Sequence, residues 1–255
     1  MKDYTIKIKQ ILINTGVIIF WILIWEILYL IINRELFLPS PMGVFLMLKK
    51  LIFSGGFWIS VLISVIRVII GFMISVILGL ILGVLSGINK YIYTFIYPVM
   101  NTIKSTPVMS FIIIALLWFS SGNVPIFIGF LICFPIIWTN VVQGVRNVDN
   151  ELLQMAKVYR VKRMSILMKI YIPSIIPYFA AGSMTSLGLG WKATVAAEVL
   201  SNPKYSIGAN LYNAKVYLET QELFAWTLMV IILSISFEKT FSYFINNLTY
   251  KKQRG

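Results

Sequence analysis

The stretch from Glu151 to Tyr178 reads ELLQMAKVYRVKRMSILMKIYIPSIIPY, and the fold turns on what it is for. Five bases, Lys157, Arg160, Lys162, Arg163 and Lys169, fall within thirteen residues of an otherwise apolar chain. Asp149 or Asn150 can cap a helix here, and Glu151 adds negative charge in its first turn, where the helix dipole favours it. Leu152, Met155, Ala156 and Tyr159 then recur at i, i+3, i+4 and i+7, which is one apolar face. Two prolines, Pro173 and Pro177, close the segment. A short basic amphipathic helix has two readings. It can rest on a lipid surface with its bases toward anionic headgroups, or it can insert as a knob into the groove of a soluble partner.

The surrounding composition says where such an element sits. The 255 residues are 59% hydrophobic and 12% charged, with a mean hydropathy of +0.87. A soluble domain carries roughly 25% charged residues, so a chain with half that share, gathered around long apolar runs, reads as a multi-span membrane protein. The run from Ile11 to Ile32 is too long for the apolar core of a signal peptide and has no small-residue cleavage site, so it reads as a retained span. One cysteine, Cys133, and no histidine leave no disulfide framework and no Cys/His metal site. The net charge of +13 fits basic loops facing anionic lipid better than nucleic acid, for which no motif is present.

A membrane helix needs about 20 apolar residues. Spans are expected near 11–32, 60–87, 97–119, 124–145, 168–199 and 223–243. The third is cramped, so its helix must start among Tyr97, Pro98 and Val99 and break at Ser105-Thr106-Pro107. Proline there frees a carbonyl that neighbouring helices or water must satisfy. Six spans put both termini on one side. With that side cytoplasmic, thirteen bases lie inside (among them Lys2, Lys7, Lys9, Lys251, Lys252 and Arg254) and five outside: Arg34, Lys49, Lys50, Lys204 and Lys215. The positive-inside rule then places both termini, and the quoted stretch, in the cytoplasm.

Anchored on Ile170-Tyr171-Ile172-Pro173, the stretch resembles the coupling loop of bacterial ABC-importer permeases, whose pattern is E-A-A, three residues, G, nine residues, I-x-L-P. Gln154, Met155 and Ala156 stand at the first triplet and Arg160 at the glycine. Phe37-Leu38-Pro39-Ser40-Pro41, Arg67-Val68-Ile69-Ile70-Gly71-Phe72 and Trp191-Lys192-Ala193-Thr194-Val195-Ala196-Ala197-Glu198 are similar to permeases of the nitrate/taurine/sulfonate import type. Glycine permits a left-handed turn between two short helices, and arginine is strained there. Either the turn takes another conformation in this chain or the helices run on.

The resemblance implies an all-α type I permease fold: a cytoplasmic tail (1–10), a single transmembrane domain (11–245) with its coupling loop at 147–167, and a second tail (246–255). It implies a second permease copy, a cytoplasmic ABC ATPase dimer carrying ATP and Mg, and an external binding protein that delivers a small solute. A small anion such as a sulfonate or nitrate is the expected cargo, with a thiamine-type pyrimidine precursor as the alternative. This chain has no G-x-x-x-x-G-K-[ST] phosphate cradle, so it does not hydrolyse ATP alone; the resemblance implies a transporter subunit of the bacterial cell membrane that binds no cofactor of its own, not an enzyme. ATPase docking falls to Leu152, Gln154, Met155, Ala156, Tyr159, Arg160 and Arg163. On that resemblance Met155, Ala156 and Tyr159 are expected to form the apolar insertion, while Arg160 and Arg163, one turn apart, would pair with carboxylates rimming the groove. Ile170 and Pro173 lead into the fifth span.

Other features need no resemblance. Arg67, Gly71, Ser75, Gly79, Gly83 and Gly87 stand four apart, and small residues at that spacing let a neighbouring backbone approach. The stripe serves packing within one subunit or a surface that slides during transport. Gly182, Ser186 and Gly190 repeat the pattern more softly in the fifth span. Charges inside spans default to functional hypotheses. Arg67 and Glu198 fall toward the outer ends of their spans and can pair, whereas Lys192, about 240° around the helix from Glu198, can offer charge to an anionic substrate or answer a carbonyl. A secondary transporter would need midplane carboxylates and usually repeats. Glu198 is the one intramembrane acid besides Glu26 and Glu238, which lie in or near the ends of their spans, and no repeat is visible. A channel would not explain the docking element, and an enzyme lacks a nucleophile or metal constellation.

Overall fold

The computed structural model describes residues 2–252, with side chains from 13 to 243. The terminal bases Lys2, Lys7, Lys9, Lys251, Lys252 and Arg254 lie outside the residues whose side chains are described. Every regular element among the described residues is helical. In order they are α1 (Lys2–Ile32), α2 (Pro41–Ile52), α3 (Gly55–Ile88), α4 (Lys90–Ser105), α5 (Val108–Trp118), α6 (Val124–Arg146), α7 (Asn150–Val158), α8 (Arg163–Ile166), a π-helical turn (Leu167–Tyr171), α9 (Ile172–Ser201), α10 (Ile207–Val216) and α11 (Thr220–Lys252). Five helical segments are long and apolar enough to cross a membrane: Ile13–Ile32, Gly55–Ile88, Val124–Arg146, Arg163–Ser201 and Thr220–Tyr243. The pair α4 and α5 makes a sixth if the two count as one span, which is the all-α, six-span fold the sequence implies.

That third span departs from the expectation in one respect. Its helix begins at Lys90 rather than among Tyr97 to Val99, passes through Pro98, and bends by 104° between α4 and α5. The break itself falls where proline requires it. Pro107 has no N–H to continue the ladder and pushes the residue before it out of the helical region. Thr106 accordingly turns extended (φ −83°, ψ 132°), and both its N–H (3.1 Å) and its Oγ1 (2.8 Å) donate to the Thr102 carbonyl. Neither piece, of 16 and 11 residues, reaches the roughly 20 needed to cross alone.

The chain divides into two compact units, residues 1–58 with 210–230 and residues 59–209 with 231–255. In the first, Ser40 caps α2 by accepting from the Gly43 N–H at 3.1 Å, with Pro41 at the first helical position, where its missing N–H does no harm. Trp25 Nε1 donates to the Pro39 carbonyl at 3.0 Å, and Phe57 stacks on Trp226 with ring centroids 4.9 Å apart.

The second unit is built around α6. The small residues of α3 face it. A Cβ added to Gly71 would come within 2.7 Å of the Ile126 carbonyl oxygen, one on Gly79 within 2.7 Å of Ile137 Cγ2, and one on Gly83 within 2.7 Å of Val141 Cγ1. One on Gly87 would collide with Val145. Ser75 Oγ, fully buried, lies 2.9 Å from the Gly71 carbonyl and 3.0 Å from that of Phe130. The α3 stripe therefore serves close packing within one chain. On another side of α6, Gly182 of α9 meets Asn140, and Gly190 meets Cys133, whose thiol donates to the Ser186 carbonyl at 3.1 Å. Helix α5 closes the unit through Ile112 and Ala115, which pack with Val124, Ile128, Ala193 and Ala197. Large apolar side chains such as Ile77 and Leu117 remain on the exterior, the kind of surface a hydrocarbon solvent accepts.

Candidate functional site

Between α6 and α9 the chain makes a short two-helix element. Asp149 caps α7 by accepting from the Glu151 N–H at 2.8 Å. The helix stops at Val158 because the chain closes on itself: the Arg160 N–H donates to the Lys157 carbonyl (3.1 Å) and the Val161 N–H to that of Ala156 (2.9 Å). These are the paired bonds of a Schellman ending, and Arg160 takes the left-handed conformation it needs, with φ +50°. Neither alternative expected from the missing glycine occurs. The turn is left-handed and the helices do not run on, because two satisfied helix-end carbonyls offset a left-handed cost of about 1–2 kcal/mol and the exposed side chain has room to follow.

The apolar stripe is only partly available. Tyr159 is 76% exposed and Met155 52%, with Leu152 and Val158 also open, whereas Ala156 is 3% exposed and anchors α7 to its own chain. Gln154, Arg160 and Arg163 are exposed. Arg160 and Arg163 do not occupy successive turns of one helix. Arg160 is in the turn and Arg163 opens α8, so the two flank the patch. Ile170 and Pro173, half-buried, belong to the start of the long span, not to the patch. There the helix widens into the π turn, closed by the Ile172 N–H donating to the Leu167 carbonyl. Pro173 cannot donate to Lys169, and Ser174 Oγ answers the Ile170 carbonyl at 2.9 Å. A π turn before two prolines is a local bend in an otherwise stiff rod.

Arg67 and Glu198 do pair, at 2.8 Å, with Glu198 wholly buried. Sequence reasoning missed the rest of this cluster. Ser64, one turn before Arg67, places its hydroxyl 2.8 Å from both carboxylate oxygens and accepts the Ile207 N–H at 3.0 Å. The Gly208 N–H donates to Glu198 at 3.2 Å, and Arg67 reaches the carbonyls of Lys204 and Tyr205 at 3.4 Å. Gly208 fits because a Cβ there would collide with Glu198. The i, i+3 spacing of Ser64 and Arg67 was a usable signal, but nothing in the sequence ties position 208 to them. The Arg67 and Glu198 charges answer one another, so the cluster clamps α3, α9, the 202–206 loop and the start of α10 together.

Lys192 lies on another face of α9 and is exposed. It lines a cavity of about 340 Å³ with Thr185, Gly188, Glu238 and Phe241. In the bent span, Lys104 Nζ donates to Thr139 Oγ1 at 2.6 Å.

The described residues thus give a helical unit with a broken apolar span and an exposed basic patch between two long apolar helices, and the comparisons place that arrangement in a family. The family described as "Binding-protein-dependent transport system inner membrane component" matches residues 75–249, and this chain belongs to it. The putative aliphatic sulfonates transport permease protein SsuC of Escherichia coli (strain K12) is 29% identical over 222 residues, covering 86% of this chain and 82% of the relative. The nitrate import permease protein NrtB of Synechococcus elongatus is 31% identical over 104 residues, 40% of this chain and 37% of that one. Among solved structures, the fold resembles a chain of the inward-facing MetNI methionine ABC transporter, with TM-score 0.58 and 14% identity, covering 74% of this chain and 93% of the other.

Proposed function

We propose that this chain is the membrane-spanning permease of an ATP-driven importer that carries a small anion, of the sulfonate or nitrate kind, from an external binding protein to the cytoplasm. The observation that carries the reading is the exposed Leu152, Met155, Val158 and Tyr159 patch flanked by Arg160 and Arg163 on a helix closed at both ends. A rigid apolar knob with a cationic rim fits a groove rimmed by carboxylates on a separate ATPase. Work done there enters α9 through the π turn and Pro173, the place where that helix already deviates. Both termini are then cytoplasmic, α2 and the 202–206 loop are external, and a second copy completes the pathway. The anion assignment draws its support from the named relatives and from Lys192 in the α9 cavity.

The test is co-purification of the partner ATPase with Tyr159→Asp. A carboxylate buried at the centre of an apolar contact is costly and repels an acidic rim, so retention is expected to fall at least tenfold and transport with it. Undiminished retention would remove α7 as the docking element, as would α7 found lying on lipid while the ATPase binds elsewhere.

A further inference from the structure

The glycine contacts give the helices their directions. Gly71 lies beside Ile126 and Gly87 beside Val145, so α3 and α6 run parallel. The chain must therefore recross between them, and the helices it has there are α4 and α5. The bent pair is one crossing with its break inside it. Lys104 is the fifteenth of the 29 residues from Lys90 to Trp118, and its ammonium does not turn back to a surface. Nζ is held at Thr139 Oγ1, 2.6 Å away, and Thr139 is four residues, about 6 Å, from Pro135 at the middle of α6. The Thr139 hydroxyl donates to the Pro135 carbonyl at 2.6 Å, which leaves its oxygen to accept from the lysine. Lys104 and Ser105 are exposed. An exposed ammonium at that depth, beside an opened backbone, cannot face hydrocarbon without large cost, so this face is wet. It also carries one sign of charge. No Asp or Glu occurs between Glu35 and Asp149, so α3 to α6 hold no acid, and among the described residues the ion pair formed is Arg67 with Glu198. Lys192, by contrast, shares its cavity with Glu238.

We propose that Lys104 sets the charge selectivity of the transport pathway, holding the anionic group of the solute at the break of the bent span. The inference rests on the transport reading above and names the residue that enforces its sign of charge. The bond to Thr139 is the resting contact: an ammonium has three donors, and this hydroxyl takes one of them. An anion brings full Coulomb attraction in a site of low dielectric, so it takes the ammonium from Thr139. Thr139 takes it back as the anion leaves, which keeps the site weak enough to release what it holds. A cation meets the same ammonium with no acid on α4 to α6 to offset it.

Ser105→Cys in the full chain, held in lipid nanodiscs, puts a thiol in the break, while Cys133 is buried. Its reaction rates with 2-sulfonatoethyl and 2-trimethylammonioethyl methanethiosulfonate, one anionic and one cationic, give a ratio that reports the local sign of charge. In that background the anionic-to-cationic ratio is expected to fall at least fivefold in Lys104→Gln and further in Lys104→Glu. It should stay within twofold in Lys104→Arg, which keeps the charge. Sodium ethanesulfonate should slow the anionic reagent to a plateau when Lys104 is present and not in Lys104→Gln. Thr139→Val, which removes the resting acceptor, should lower the half-saturating ethanesulfonate concentration at least threefold, a change that a purely structural bond would not produce. Should Lys104→Gln fail to fold, the contrast between Lys104→Arg and Lys104→Glu carries the ratio. No labelling of Ser105→Cys would overturn the proposal, as would a ratio that neutralising or reversing the charge does not move. So would slowing that follows ionic strength without a plateau, or a half-saturating concentration that Thr139→Val leaves unchanged or raises. No ATPase is needed, so failure here is separable from failure of the docking test.

Discussion

Removing Arg67 while leaving Glu198 is the sharpest test of the buried clamp. In Arg67→Met the carboxylate, with no exposed surface, keeps only the Ser64 hydroxyl and the Gly208 N–H. Breaking a buried pair from one side costs about 3–5 kcal/mol, because an uncompensated charge stays behind. For a chain of this size about 1 kcal/mol shifts the melting temperature by about 2–4 °C, so a fall of roughly 6–20 °C is expected. The chain carries its own reporter. Cys133 is buried on α6, and a thiol-reactive dye in detergent sees it only on unfolding. The double variant Arg67→Met/Glu198→Leu should recover most of the loss, since replacing both partners by apolar groups is often near neutral. Lys192→Met, which touches an exposed side chain outside the clamp, should move the melt by no more than about 1 kcal/mol. A melt of Arg67→Met within 2 °C or so of the parent would refute the clamp, as would a double variant no better than the single one.

Three further outcomes follow from the packing and the docking element. Arg160→Gly should raise the melting temperature by an amount corresponding to about 1 kcal/mol, because glycine removes the left-handed strain while the Schellman bonds remain. Arg160→Val should lower it. Gly83→Leu should destabilise by about 1–3 kcal/mol or prevent folding, since even a Cβ at that position reaches 2.7 Å from Val141; thermal melts of these three variants check this. Met155→Asp should lose ATPase in co-purification as Tyr159→Asp does, whereas Ala156→Asp should first lower the melting temperature, because Ala156 is buried in its own chain.

How much was legible can be argued residue by residue. The break at Pro107 was readable because proline removes a donor whatever surrounds it, but the 104° bend was not, since its direction is set by what α4 and α5 pack against. Arg160 illustrates the reverse error. Local propensity argues against a left-handed arginine, yet the backbone bonds of the helix end decide the matter. Ala156 sits at a proper stripe position and still turns inward, because periodicity defines a face without saying which edge of it the rest of the chain covers.

By itself the sequence determined the helical class, the long apolar segments, the capped basic element and the small-residue stripes. Each of these follows from interactions within a turn or two, or from transfer of whole segments between solvents. Only the tertiary structure decided that the α3 stripe packs on α6, that Ser64 and Gly208 complete the Arg67–Glu198 clamp, and that Lys192 shares a cavity with Glu238. Apart from the Gly208 bond to Glu198, ten positions away across the α9–α10 turn, those pairings join residues from 46 to more than 130 positions apart, for which no local energy exists until the helices have found one another.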